Sequence, residues 1–386
     1  MGHVIVVGAG PAGLSFARAL SGSSAHVTLI ERQPPAALAD PARDGREIAL
    51  THASVRLLRE LGVYPLIAEE QVHLLREAHV LNGRRPFALS LTPGQNGEAG
   101  LGRLVSNHAI RRALFQSVEA QPNVTIRAAT SVEKAIASSK RAEVRLSDGT
   151  MIEGDLLVAA DARLSKIRDQ IGIGARVQPL GRTMLLCAVC HPRPHDGIAT
   201  EWFDHHRTVA MLPLDPGRSS LVLTLPDDEA QKLTGLDLEK LGDTLSGYTH
   251  FRWGRIEAED SPYFYPLTIT YADQFAGPRA ALIGDAAVGM HPVTAHGFNF
   301  GLMGAVRLAR LIHDASDVGD PRLLRRYSAA HRAATLPLYE ATRMLVGLFT
   351  DERPLARRMR NAVLRLGALP PVRHGMERLL MRGAVA

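Results

Sequence analysis

The chain has 386 residues, 46% of them hydrophobic and 22% charged, the composition of about two ordinary globular domains. Its two cysteines, Cys187 and Cys190, exclude a disulfide framework, and no apolar run reaches the ~20 residues that cross a bilayer. The net charge of +6 is unevenly placed, because residues 351–386 carry eight arginines against three acids, which excludes a uniformly basic nucleic-acid-binding face.

Along the chain, His3–Val7 (HVIVV) reads as a short buried strand, Gly8–Gly13 as a turn, Leu14–Ser21 as a helix, and His26–Glu31 as a second strand ending in an acid. This is a β-turn-α-β unit. It starts with neither a basic leader nor a small-residue cleavage site, so a cytoplasmic protein is expected. Apolar positions three or four apart predict helices at about 51–61 and 107–119, and residues 141–161 read as a hairpin turning at Asp148-Gly149, followed by a buried strand. From about 182 to 266 the pattern is strand-like, with a helical stretch near 228–246, which predicts a second, sheet-based domain. A further strand is expected at 279–287 and a helix at 297–313; residues 322–386 read as helical, broken at Pro337, Pro354, Pro370 and Pro371.

Gly8-Ala9-Gly10-Pro11-Ala12-Gly13 has G-x-G-x-x-G spacing between a strand and a helix. Gly8 allows the tight turn, Gly10 admits a pyrophosphate close to the backbone, and Gly13 permits close helix–strand packing. Glu31 closes the second strand where a carboxylate can accept hydrogen bonds from an adenosine ribose, which favours FAD or NAD over NADP. Gly284-Asp285-Ala286-Ala287 then forms a second strand-to-helix turn, followed by His291-Pro292 and Ala295-His296-Gly297-Phe298-Asn299. A helix start there can stabilise negative charge on a reduced flavin.

These segments resemble a known family. GAGPAG with Glu31, DLLVAADARLSKIR (155–168) and LIGDAAVGMHPVTAHGFNFGL (282–302) are similar, in order and spacing, to the three fingerprints of single-component flavin-dependent aromatic monooxygenases. Within them, DGREIALTHASVRLLRELGVY (44–64), LVSNHAIRRAL (104–114) and PPVRHGMERLLMRGAV (370–385) resemble the ring hydroxylases of ubiquinone biosynthesis, and the DGREIAL and HPVTAHGFN wording resembles the demethoxy-ubiquinol branch. The resemblance implies an α/β fold: a discontinuous Rossmann-like FAD-binding domain (1–75, 100–180 and 266–345), a mostly antiparallel substrate domain (76–99 and 181–265), and a basic helical C-terminus (346–386).

Residue by residue, it implies that Gly8, Gly10 and Gly13 hold the FAD pyrophosphate and Glu31 the ribose. Arg46 would reach the ribityl–pyrophosphate part, Asp161 the pyrophosphate side and Asp285 the ribityl chain, with Ala12, Arg32, His108, Gly284, Gly297 and Asn299 completing the cofactor set. Pro292 and the 295–299 turn would lie over the isoalloxazine ring. Two positions depart from the pattern: Ala162 stands where the family has Gly, which predicts a shifted loop, and His108 where it has Arg. The implied reaction passes an oxygen atom from O2 to an electron-rich ring through a flavin hydroperoxide, with NADPH or NADH docking transiently, since no second glycine-rich unit exists to hold it. His296 and His291 are the candidate proton carriers beside Pro292.

Other readings remain open. The ring could belong to a soluble aromatic of catabolism or secondary metabolism, or the fold could serve a flavin-dependent dehydrogenase or saturase. Cys187-Ala-Val-Cys190-His191 matches a haem-attachment string, but in a strand residues three apart point to opposite faces, so buried thiols and no metal site are expected. The C-terminal arginines read as solvated helix faces, as an interfacial helix at the inner face of the membrane, or as a contact with other biosynthetic proteins. Glu201, Trp202, Met211 and Tyr265 are candidates to line the substrate pocket, and core packing explains each equally well.

Overall fold

The computed structural model describes residues 2–350 apart from 84–87, 94–98 and 205. Its first layer is a six-stranded sheet in the order Ala276–Gly277, Ala280–Leu282, Leu156–Ala159, His3–Val7, His26–Ile30, Val124–Arg127, parallel except at the Ala276–Gly277 edge. Val4 to Val6, Leu156 to Val158, Val27 and Leu29 have no exposed surface, because both faces of these strands are covered, and so their sequences run continuously apolar instead of alternating. The helices Pro11–Ala19, Asn107–Glu119 and Gly297–Ile312 pack together with this sheet, and a small antiparallel sheet, Val132–Ala137 with Ala142–Leu146 and Met151–Gly154, also packs on it.

The second layer is a larger, mostly antiparallel sheet built on the sixteen-residue strand Ala175–Cys190. Beyond it lie Arg218–Pro226, Arg207–Pro213, Ile198–Asp204 and Glu77–Asn82, the last two paired in parallel, while Tyr263–Ala272 pairs on its other side. Helices Asp227–Leu233 and Leu238–Tyr248 cover one face through a core of Leu185, Cys187, Val209, Met211 and Leu223. The opposite face is turned toward the first layer. The fold is thus the α/β arrangement expected, with the Rossmann-like part assembled from separated segments.

Several local expectations change. Residues 279–287 form a strand only over Ala280–Leu282, because Gly284 takes φ +59° and the chain turns into a short 3-10 segment, Gly284–Ala286. The stretch near 228–246 is two helices. Pro337 does not end its helix, which runs unbroken over Pro321–Thr350; on this long helix the lost bond is outweighed by packing that includes Tyr327, Leu338 and Tyr339 in the core. Cys187 is buried and Cys190 partly exposed, both free, and Cys190 donates its thiol to Glu259. The remainder of the C-terminal expectation, residues 351–386, lies outside the described residues, and among those described no helix is long and apolar enough to cross a membrane.

That helix carries a buried His331, 1% exposed, stacked on Tyr327 at 5.7 Å between ring centroids and tilted against Phe275. Burial, helped by the Arg307 charge, pulls its pKa down to about 3. An unfolded chain therefore binds a proton here that the folded chain refuses, so the contribution is complete above the ordinary histidine range and is lost as pH falls from about 6.5 toward 3. Replacing His331 with Leu should reduce the pH-dependence of the unfolding free energy near pH 5 by ~1.4 kcal/mol per pH unit, measured by urea denaturation across that range. An unchanged slope would mean that the ring is not held neutral.

Candidate functional site

The site assembles at the carboxyl ends of the parallel strands, where open α/β sheets bind ligands. Gly8 sits at φ +108°, and a Cβ there would lie 2.5 Å from the Ala160 carbonyl oxygen; a Cβ on Gly13 would lie 2.0 Å from the Gly8 carbonyl oxygen. Only glycine closes this turn. Above Gly10, by contrast, a Cβ would meet nothing within 4 Å, which leaves the space a pyrophosphate needs. The helix then starts at Pro11 with no side chain capping it, so its first amides face that space. Glu31 is held on its own loop by bonds from the Ala9 and Gln33 amides, 2.8 and 3.0 Å, at the end of the second strand, with Arg32 exposed beside it.

Asp44 organises the next element. It accepts from Arg46 Nε and Nη2 at 3.0 and 2.5 Å and from Asn107 Nδ2 at 2.7 Å, and its carbonyl accepts the Tyr265 hydroxyl at 2.8 Å. Burial alone would raise its pKa, but the Arg46 and Asn107 bonds overcome this and hold the carboxyl below its ordinary range. The same pair opposes burial at Arg46 and raises its pKa. Gly45, at φ +70°, lets this loop touch the large sheet, for a Cβ there would stand 2.6 Å from the Tyr263 ring. His108 points elsewhere, its Nδ1 against the Pro41 carbonyl. Arg111, one turn further along the same helix, donates to Gln33 at 3.1 Å and feels the charges of Asp44, Arg46 and Glu31. The sequence reading passed over it, although its spacing from His108 puts both on one helix face.

The second fingerprint closes the floor. Ala162 is absent from the residues with positive φ, so the loop needs no glycine there and the expected shift has no backbone cause. Asp161 accepts from Ser165 Oγ at 2.5 Å, and Ser165 caps the following helix by accepting from the Arg168 amide. Arg168, 2% exposed, donates to the Arg163 and Ala286 carbonyls and so ties this loop to the Gly284 turn. Arg163 pairs with Asp285 at 2.7 Å, leaving the other carboxylate oxygen without a hydrogen-bond partner among the described residues. Gly284 is pressed on the first turn, where a Cβ would stand 2.7 Å from that of Ala12.

The turn at 291–299 completes the wall. His291 accepts from the Val293 amide on Nδ1 at 3.1 Å, which places its proton on Nε2. Burial first, then the Arg163 and Arg182 charges, lowers its pKa to about 4, so the ring is neutral at physiological pH. Pro292 opens a single 3-10 turn, Ala295 takes φ +52°, and the buried His296 leads the helix Gly297–Ile312 with its ring 5.7 Å from Phe300. Gly297 has open space where a Cβ would be. Asn299 is fully used as a staple: it accepts from the Thr51 amide and donates to the Ala49 and Ala295 carbonyls, binding the turn to the strand Glu47–Leu50. It shapes the site through the backbone.

The chain matches the FAD binding domain family over residues 1–340. It belongs to that family. It is 43% identical to the ubiquinone hydroxylase UbiM of Neisseria meningitidis serogroup C, over 96% of this chain and 82% of that protein. It is 28% identical to the 3-demethoxyubiquinol 3-hydroxylase of Escherichia coli K12, over 97% of this chain and 95% of that one. The structure of p-nitrophenol 4-monooxygenase PnpA from Pseudomonas putida DLL-E4 superposes with a TM-score of 0.79 over the full length of both chains at 18% identity, a likeness of fold. The chain is an FAD-dependent monooxygenase, and its residues fit the cofactor: a glycine cradle with open space over Gly10, an acid at the end of the second strand, and an Asp285 oxygen with no hydrogen-bond partner among the described residues.

The two glycines separate folding from cofactor binding. Gly10→Ala should leave the thermal stability of the FAD-free protein within a degree or two and weaken FAD binding at least tenfold, whereas Gly13→Ala should lower both. Thermal melts and fluorescence titration with FAD check this, and equal stability losses in the two variants would refute the assignment of Gly10 to the pyrophosphate.

Proposed function

We propose that this FAD enzyme hydroxylates an electron-rich aromatic ring, a polyprenylated phenol or quinol intermediate of ubiquinone biosynthesis, using O2 and NADH or NADPH. The observation that carries the reading is the apolar face of the large sheet, formed by Met184, Leu186, Leu267, Val222 and Tyr263 and turned toward the Gly45–Arg46 loop. Such a face suits a flat, greasy ring better than a polar metabolite. The names of the ubiquinone-pathway relatives support the same substrate class.

FAD, once reduced, supplies the activated oxygen. The chain's own residues bind, orient and keep dry. The Gly8–Gly13 turn and Glu31 would grip the adenosine end, Arg46 and Asp161 the middle, and Asp285 the ribityl chain. The neutral, buried His291 and the His296 helix start would form the wall beside the reacting edge, excluding water and offering imidazoles that can carry a proton. The reductant would be a pyridine nucleotide that visits and leaves, and the arginine-rich segment 351–386 would hold the enzyme peripherally at anionic lipid, where a polyprenyl chain resides.

The test is turnover of a short-chain prenylated phenol by FAD-loaded protein with NADH or NADPH under labelled oxygen. A product carrying one labelled oxygen atom is the expected result. Reductant consumption that yields only hydrogen peroxide with every ring offered, or a desaturated product without label, would overturn the reading.

A further inference from the structure

The large sheet holds one carboxylate that the site described so far does not use. Strand Ile198–Asp204 alternates, and its Trp202 lies on the helix-covered face, donating to the Gly83 carbonyl at 2.9 Å with its ring 5.3 Å from that of His250. Glu201 therefore lies on the opposite face. The strand register sets it in one cross-strand row with Val80, Ala210, Val222, Leu186 and Tyr263. The far end of that row is the Tyr263 ring on which Gly45 rests, next to the Arg46 anchor. Two residues along from Glu201 on the same face, Phe203 belongs to a cluster that includes Val80 and Val293, the latter from the turn between His291 and His296. Glu201 thus stands on the apolar sheet face between the Arg46 loop and the His291–His296 turn, which is where a ring presented to the flavin edge has to lie.

Its surroundings are otherwise uncharged. No ion pair or hydrogen bond reaches its carboxylate among the described residues, yet the residue keeps part of its surface exposed, as a group lining a recess does. Asp204, on its own strand, faces the other way and pairs with His250. On the neighbouring strands, Glu77 and His79 contact each other and Arg207 lies over the Tyr248 ring. The turn brings His291, which is neutral, together with the buried His296, and the end of the long helix brings Glu340 and Arg343, paired with each other. Burial alone displaces Glu201, raising its pKa to about 8. A half-buried carboxylate on an apolar face with no ion-pair partner among the described residues is costly to charge, and its place there suits a ligand that uses it.

We propose that Glu201 is the group that accepts the hydroxyl proton of the aromatic substrate. This rests on the ring-hydroxylation reading and selects, within it, rings that are neutral and carry a free hydroxyl. In the step, the ring O–H bond breaks, an O–H bond forms on the Glu201 carboxylate, and the negative charge moves to the ring oxygen, which enriches the ring for attack by an electrophilic oxygen; the carbon that takes the oxygen then gives up its hydrogen as a proton, which neutralises the anion left when the oxygen was transferred, and the Glu201 proton returns to the ring oxygen before release. A carboxyl whose affinity for protons lies near physiological pH suits that exchange in both directions. An aromatic carboxylate would meet it as a like charge and be rejected.

The experiment compares wild type with Glu201→Gln and Glu201→Asp, all loaded with FAD, on a short-chain prenylated phenol. The wild-type kcat/KM should rise with pH to a plateau above about 8. Glu201→Gln should keep its FAD content and bind the phenol within a few-fold, by flavin fluorescence, while losing the pH limb and ~100-fold or more in kcat, with reductant flux diverted to hydrogen peroxide. Glu201→Asp should restore the limb at a reduced rate. A wild-type profile flat between pH 7 and 9, or product formation by a FAD-loaded Glu201→Gln within twofold of wild type, would overturn the proposal. Failure of the wild type itself to hydroxylate any phenol would instead sink the ring-hydroxylation reading, and this assignment with it.

Discussion

A single steric limit governs the molecule's layout: a Cβ on Gly13 would fall 2.0 Å from the Gly8 carbonyl oxygen. Because both positions are glycine, the helix Pro11–Ala19 presses onto the first strand, and its start points at open space instead of at a side chain. The helix Gly297–Ile312 then packs on the first helix, and the Gly284 turn fits against Ala12. The wall at 291–299 is placed by that packing, so two regions nearly three hundred residues apart in sequence face one site.

Polar staples, alongside a shared apolar core that includes Ile269 and Tyr271, connect this frame to the substrate side. Asp44 gathers Arg46, Asn107 and Tyr265 from three separate elements, and Asn299 binds Ala49, Thr51 and Ala295. Such bonds are directional, and when buried they are costly to leave unmade, so they fix position where greasy contact would permit sliding. Arg168, buried with its guanidinium on two carbonyls, does the same for the second fingerprint loop. Residues that the resemblance assigns to the cofactor thus divide into those with polar groups or open space turned toward the site and those, such as Asn299, whose side chains are used up in holding the backbone.

What could be read from the amino acids follows from how local the physics is. The β-turn-α-β start, the helix at 107–119 and the hairpin at Asp148-Gly149 are each determined by neighbours in sequence, and each stands as expected. Passage of the long helix through Pro337 was not legible, because packing against the sheet supplies what local propensity lacks. Arg111 was missed for a related reason: its partners Gln33, Asp44 and Glu31 come from other segments, and only its helical spacing from His108 hinted at a shared face. The Asp161-Ala162 departure looked disruptive on a glycine rule, yet the backbone there never enters the left-handed region.

The substrate side illustrates the opposite limit. An apolar sheet face that could receive a flat ring is built from residues that any core uses, so Met184, Leu186 and Val222 carry no address. What distinguishes this face is an interruption of the rule. In the alternating positions Ala199, Glu201 and Phe203 an acid stands between two apolar residues on one sheet face, half-buried and without an ion-pair partner among the described residues. Burial lowers His291 to about 4 and raises Glu201 to about 8, moving a base and an acid each toward its uncharged form, with the ionised fraction of Glu201 the form that takes up a proton. A site kept neutral in this way can hold an apolar ring without water, and it places charge on that ring only when a proton moves.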